Sequence, residues 1–268
     1  MSFAFPCGQD QLLDSPPGND RMSHPAPHYR ALATDYDGTL AHDSHVSPET
    51  VTALQALKES GRSLILVTGR EMPELISVFP EYRICDAIVA ENGGLIIWPA
   101  EEQEEVLGEP VPEAFVQEAV RRGVQPFSMG RVVFATWRPQ EAVVLEIIHA
   151  LGIEYQIIFN KRAVMVLPGG INKATGLAHV LKRMKLSPQT VVAIGDAEND
   201  HAFLDSCAVA AAVENALPAL KERCDLVMTK DHGAGVVELI ERLIADDLQS
   251  LGPRRPRKQV AQAQTISS

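Results

Sequence analysis

The sequence predicts an α/β protein, a doubly wound parallel sheet into which a smaller α+β unit is inserted. Three observations carry this expectation. Buried strand patterns alternate with amphipathic helix patterns toward both ends of the chain. Polar and acidic residues gather where those strands stop, and a hairpin-rich stretch interrupts the alternation in the middle.

Ala31-Leu32-Ala33-Thr34 is a short apolar strand that stops at Asp35. Ser47-Pro48-Glu49 opens a helix, because serine caps, proline suits the first turn, and an acid favours the positive end. Val51, Leu54 and Leu57 form its apolar stripe and Gly61 ends it. Ser63–Val67 is a buried strand, followed by Thr68-Gly69-Arg70 and a short helix. Ala87–Ala90 is a third strand and runs into Glu91-Asn92-Gly93-Gly94. Thr190–Ile194 is another, ending in Gly195-Asp196. The last helix, from about Gly235, repeats Val236, Leu239, Ile240 and Leu243 at helical spacing. There is no internal repeat.

The middle, residues 98–168, reads differently. Helix patterns near Pro112–Arg122 and Pro139–Leu151, the second with Val144, Ile147, Ile148 and Leu151 on one face, alternate with strand-like Val132–Thr136, Tyr155–Phe159 and Ala163–Leu167. Hairpins with helices on one side imply an antiparallel α+β cap, and the cleft where it joins the parallel sheet is the expected ligand site. The core is then residues 29–97 and 169–250. Residues 1–28, rich in Pro, Ser, Asp and Gly, read as a disordered extension. Residues 251–268 read as a disordered basic tail, with Arg254, Arg255, Arg257 and Lys258 among prolines.

At 268 residues the chain can bury a large core without disulfides or a structural metal. Its 35 acidic and 24 basic residues leave a net charge of -11, which argues against nucleic acid or an anionic membrane as partner. A few local cations and a metal can still reverse the sign of one pocket. Cys7, Cys85, Cys207 and Cys224 lie far apart, so reduced thiols are expected. No apolar run approaches the ~18 residues of a membrane span. The first twenty residues lack the basic and apolar regions of a signal peptide, so a cytoplasmic protein is expected.

The chemistry begins at Asp35-Tyr36-Asp37-Gly38-Thr39, two carboxylates one residue apart at a strand end, where open parallel sheets place ligands. A solvated Asp-Gly turn is the plain alternative. Thr68 offers a hydroxyl and backbone N–H groups to a phosphate, with Gly69 leaving room for it; a simple turn would need neither. Lys173 opens a helix after Gly169-Gly170-Ile171-Asn172, joining a cation to the helix's positive end, yet it lacks P-loop spacing. Gly195-Asp196-Ala197-Glu198-Asn199-Asp200 brings two more carboxylates and an amide, or simply caps a helix.

In this order the four segments resemble the motifs of the haloacid dehalogenase-like hydrolase superfamily. Asp35 to Thr39 match the first motif, Thr68 the second, Lys173 the third, and Asp196 to Asp200 the fourth. The inserted cap, Glu91-Asn92-Gly93-Gly94 and the form G-D-x-x-N-D resemble its Cof-type branch, which includes sugar-phosphate and phosphoglycolate phosphatases. The resemblance spans about Tyr29 to Leu248 and implies a Rossmann-like core. It implies a Mg²⁺-dependent phosphatase for a small phosphorylated metabolite. Asp35 would be the nucleophile, forming an aspartyl-phosphate, and Asp37 the general acid and base. Mg²⁺ would be held by Asp35, the Asp37 main-chain carbonyl and Asp196, with Asp200 beside them. Thr68, Gly69 and Lys173 would hold the phosphate, and Asn199 and Asp200 would orient the metal's waters or Lys173.

Asn92 and Glu91 are expected either to contact substrate or to shape a turn. Arg70, Trp137, Arg138, Lys161 and Arg162 are either cleft residues or solvated charges beside a half-buried tryptophan. His42 and His45 are a lid or ordinary loop residues. A phosphomutase on the same scaffold and a non-catalytic phospho-ligand binding module are the alternatives. A pure binder has no need of a nucleophile. A nicotinamide-dependent dehydrogenase lacks support, because no G-x-G-x-x-G follows a strand.

Overall fold

A computed structural model of the chain describes residues 27–250. All but the last two residues of the expected extension 1–28, with Cys7, and the whole tail 251–268 lie outside the described residues. The first half of the core runs β1 (Ala31–Asp35), α1 (Pro48–Glu59), β2 (Ser63–Val67), α2 (Met72–Val78), β3 (Ala87–Ala90), β4 (Leu95–Trp98) and β5 (Gln103–Val106). The insertion follows: α3 (Glu113–Arg121), β6 (Phe127–Met129), β7 (Phe134–Trp137), α4 (Glu141–Leu151), β8 (Tyr155–Asn160) and β9 (Ala163–Pro168). The core resumes with α5 (Lys173–Met184), β10 (Val191–Gly195), α6 (His201–Ser206) and β11 (Val209–Ala212). It closes with α7 (Pro218–Lys221), β12 (Leu226–Val227) and α8 (His232–Asp246).

The large sheet has eight strands in the order β12-β11-β10-β1-β2-β3-β4-β5. From β12 to β3 the pairing is parallel, while β4 and β5 run antiparallel at the edge. Every residue of β1 and β10 is buried, so both faces of the sheet are covered. Helix α1 packs on α8, and α5 on α6. The chain leaves β1 toward β2 on one side and returns to β10 on the other. That reversal opens a crevice at the carboxyl ends of β1, β2 and β10, where Asp35, Thr68 and Asp196 lie.

The smaller sheet is antiparallel, ordered β6-β7-β9-β8. Phe115 and Ala119 of α3, Val144, Ile147 and Ile148 of α4, and Phe134 and Val166 of the sheet close its core. Its other face carries Val133, Met165 and Leu167 in a separate apolar cluster.

The structure amends several expectations. The parallel core is as expected, and β4 and β5 fold back on β3 to add an antiparallel edge. The boundary expected between residues 97 and 98 cuts that hairpin, and the sheet pairing moves it beyond Val106. Helix α1 turns Thr50 inward beside Leu54 and Leu57, leaving Val51 half-buried. Leu151, expected on the apolar face of α4, is exposed because the helix ends there. Ser47 caps α1 as expected, its Oγ accepting from the Thr50 N–H at 3.2 Å.

Candidate active site

Strand β1 delivers Asp35 into a buried position, and α5 brings Lys173 to meet it. The α5 terminus is fixed by Asn172, whose side chain accepts from the Ala174 and Thr175 N–H groups in a capping box. The Lys173 ammonium donates to Asp35 Oδ1 at 2.5 Å and to Asp200 Oδ1 at 2.6 Å. Asp200 Oδ2 accepts from the Asp196 and Ala197 N–H groups at 2.9 and 3.0 Å, which fixes the turn that carries Asp196. Asp196 Oδ1 accepts from the Thr39 hydroxyl at 3.2 Å. Asp35, Asp196 and Asp200 thus offer three carboxylate oxygens within 4.8 Å of one another.

Crowding three buried acids has an electrostatic consequence. Burial, then the Asp200 charge, hold Asp35 well above the usual carboxylate range despite Lys173. Burial also raises Asp196, with Lys161 working against the rise. Burial pulls Lys173 down, but the Asp200 and Asp35 carboxylates outweigh it and hold the ammonium above its ordinary value. The cluster crowds three carboxyl groups around Lys173, and their oxygens converge on one point. A hard divalent cation with oxygen preference fits that donor set.

Asp37 stands apart from the three clustered acids. Its carboxylate lies outside the acidic cluster and accepts from Arg70 Nε and Nη2, each at 2.7 Å. Arg70 also pairs with Glu74, donates to Ser44 Oγ at 2.7 Å, and lies over the Tyr36 ring. The Asp37 main-chain oxygen faces the cap, where Lys161 Nζ lies 3.2 Å away. Gly38, at φ +89°, is required here, since a Cβ would lie 2.4 Å from Asp196 Oδ2.

Thr68 is buried at the end of β2, its Oγ1 accepting from the Arg70 N–H at 3.1 Å. A Cβ on Gly69 would lie 3.2 Å from Asn92 Nδ2 and 3.4 Å from Met165 Sδ, so a larger residue would press on this wall. Asn92 sits at φ +51°, with its Oδ1 accepting from Asn199 Nδ2 at 3.2 Å and its Nδ2 against Met165 Sδ of the cap. Glu91 turns away from the site. Its carboxylate accepts the N–H groups of Arg131, Val132 and Val133 at 2.8–3.0 Å, tying a cap loop to the core.

A cavity of about 790 Å³ lies between core and cap. Asp37, Gly38, Gly69 and Arg70 line it from one side, and Trp137, Lys161 and Arg162 from the other. Arg138 does not reach it and instead stacks on Phe159. His42 lines the rim, its ring 4.4 Å from that of His232, whereas His45 bonds the Asp43 carbonyl. Sequence reasoning missed His232, Asn215 and Met165. Asn215 Nδ2 donates to the Gly38 carbonyl at 2.7 Å, and nothing in its local sequence marks it.

Comparison with known proteins agrees with this architecture. A model of haloacid dehalogenase-like hydrolases matches residues 32–125 and 146–240. A phosphoglycolate phosphatase of Methanothermobacter thermautotrophicus is 29% identical over 223 residues, covering 80% of this chain and 99% of its own. A haloacid dehalogenase-like hydrolase from Bacteroides thetaiotaomicron shares the fold at a TM-score of 0.68 and 19% identity, over 80% of this chain and 99% of its own. A subclass IIB sugar phosphatase does so at 0.65 and 17%, over 80% and 98%. The family model covers most of both halves of the core, including every strand end that carries an acid of the cluster, and so the chain belongs to the haloacid dehalogenase-like hydrolases.

Proposed function

We propose that the protein is a Mg²⁺-dependent phosphatase that hydrolyses a small phosphorylated metabolite through an aspartyl-phosphate on Asp35. The observation that supports this best is the buried Lys173 bridging Asp35 and Asp200 beside Asp196. A nucleophile, a cation for phosphoryl oxygens and a metal-ready acid group meet there. The named relatives act on phosphoglycolate and on sugar phosphates, and either class suits the cavity.

Asp35 Oδ1 is held by Lys173, and Oδ2 is the oxygen assigned to attack phosphorus. Thr68, Gly69 and Lys173 would hold the transferring oxygens as charge moves onto them. Asp35, the Asp37 main-chain oxygen and Asp196 would hold the metal, with Asp200 setting the position of Asp196 and Lys173. When bound, the metal offsets the repulsion between carboxylate and phosphate. Asp37 would give a proton to the leaving oxygen and later take one from water. Each of its oxygens accepts one bond from Arg70, which leaves the second lone pair of each for the proton steps. Asn92 and Asn199 would line the phosphate's far side. The cytoplasm expected from the sequence remains the proposed setting, and no described helix is long and apolar enough to cross a membrane.

A phosphate-release screen over phosphorylated metabolites, with and without Mg²⁺ and with Asp35→Asn as control, tests the proposal. Metal-dependent multiple turnover lost in the variant is expected. Equal turnover in chelator, or in Asp35→Asn, would overturn it.

A further inference from the structure

Lys161 occupies the tight turn between β8 and β9, at φ +53°, at the tip of a cap hairpin. Its ammonium crosses the cleft to 3.2 Å from the Asp37 main-chain oxygen and 3.2 Å from Asp196 Oδ2. The approach is so close that a Cβ on Gly38 would lie 2.5 Å from Nζ. These two oxygens are among those assigned above to the metal. A divalent ion and an ammonium seated on the same two oxygens would stand at contact distance of each other, where like charges repel. A metal held there would therefore displace Lys161.

The released ammonium, on a side chain about half exposed, stays at the mouth of the cavity. Its stem is fixed to the hairpin tip, and the tip lines the cavity. Arg70, the core's cation in that cavity, is already committed to Asp37 and Glu74. Lys161 then faces the half of a phosphoester that leaves with the oxygen, since its backbone comes from the cap rather than from the phosphate-holding core.

We propose that Lys161 is a specificity-determining residue: displaced from Asp37 and Asp196 by the metal, it binds a carboxylate on the leaving group of the substrate. The proposal rests on the phosphatase reading of the site. It predicts effects of opposite sign from one substitution. Lys161→Met removes a competitor of the metal and a partner of the substrate, so metal binds tighter and an acidic ester binds weaker. A merely structural lysine would weaken both.

Two measurements decide. Mn²⁺ binding followed by electron paramagnetic resonance, without substrate, should tighten about three- to tenfold in Lys161→Met, the factor by which an exposed charge contact lowers the competent population. Arg162→Met removes an equal charge from the same turn and should change Mn²⁺ affinity by less than about twofold. Unchanged affinity in Lys161→Met, or an equal gain in Arg162→Met, overturns the competition. In steady-state assays with Mg²⁺, the KM of Lys161→Met for phosphoglycolate should rise about tenfold more than its KM for phenyl phosphate, whose leaving group is uncharged. Equal changes for the two esters overturn the substrate contact. If the parent protein hydrolyses neither ester but releases phosphate from another metabolite in the screen, the carboxylate contact fails and the phosphatase reading stands; if it releases phosphate from none, the phosphatase reading fails, while the Mn²⁺ measurement still decides the competition.

Discussion

Lys173 is buried between two carboxylates that would repel each other without it. Replacing it with methionine should cost about 3–5 kcal/mol of stability, the usual effect of orphaning buried charge. The deficit should depend on pH in a definite direction. Asp35 is already raised by burial and by Asp200, and losing Lys173 raises it further. A carboxyl raised on folding binds more protons folded than unfolded, so stability falls as pH climbs from the ordinary carboxylate range toward the folded value. Urea midpoints of Lys173→Met should therefore trail the parent more at pH 8 than at pH 5, and a deficit that shrinks on raising the pH would show the pairing to be otherwise. The two acids of the first motif should separate cleanly. Asp35→Asn should form no phosphoenzyme with any ester. Asp37→Asn keeps the nucleophile and loses proton transfer, typically worth ~10²–10⁴ in rate. With an aryl phosphate its first step should proceed and its second stall, so acid quench should trap phosphate on Asp35. Equal trapping in Asp35→Asn would move the nucleophile elsewhere.

Two elements carry the site's geometry without touching its chemistry: the capped start of α5 and the Glu91 turn after β3. Asn172→Ala removes both bonds that set the first turn of α5 and should cost about 1 kcal/mol, read from thermal unfolding. Glu91→Ala should cost more, about 3 kcal/mol, because three buried or half-buried N–H groups lose a charged acceptor at once. Amide exchange should rise at residues 131–133 in that variant and remain slow in β1; uniform loosening would deny Glu91 its role as a cap tether. Elements with strong apolar periods were readable in the sequence: β1, β2, β3, β10, α4 and α8 all appear close to where their patterns put them. Strand β5 was not, because Gln103-Glu104-Glu105-Val106 lies largely exposed on an edge and reads as a charge run. Its pairing with β4 is a tertiary fact. The strand-end carboxylates and Lys173 were legible because buried strands ending in acids are chemically unusual. Lys161 was not, since a lysine in a hairpin turn looks the same whether it meets water or an acidic pocket. Nor was the direction of Glu91, which depends on a left-handed backbone at φ +50° that its neighbours impose.

At the scale of the whole molecule, core and cap divide the work of the site. The acids, Thr68 and Lys173 all belong to the core, while Trp137, Lys161, Arg162 and Met165 come from the cap. Among the described residues, the ties between the two units include Glu91 to the 131–133 loop, Asn92 to Met165, Gln156 to the Ile171 carbonyl, and Lys161 to Asp37 and Asp196. The Lys161 tie reaches the oxygens assigned to the metal, and the Asn92 tie reaches a residue assigned to the phosphate's far side. Replacing residues 109–168 with a short linker should then spare phosphoryl transfer and remove selection. The variant should still release phosphate from phenyl phosphate in a Mg²⁺-dependent, Asp35-dependent way. Its preference for the parent's best substrate over phenyl phosphate, expressed as a ratio of kcat/KM values, should fall by about tenfold or more, since lost charged and shape contacts are each worth that much discrimination. Far-ultraviolet circular dichroism must first show that the core helices persist, because the cut exposes the apolar side of β4 and the Glu91 carboxylate. A folded variant that keeps the parent's substrate ranking would place selection in the core, on Arg70 and the Asn92 turn, rather than in the cap.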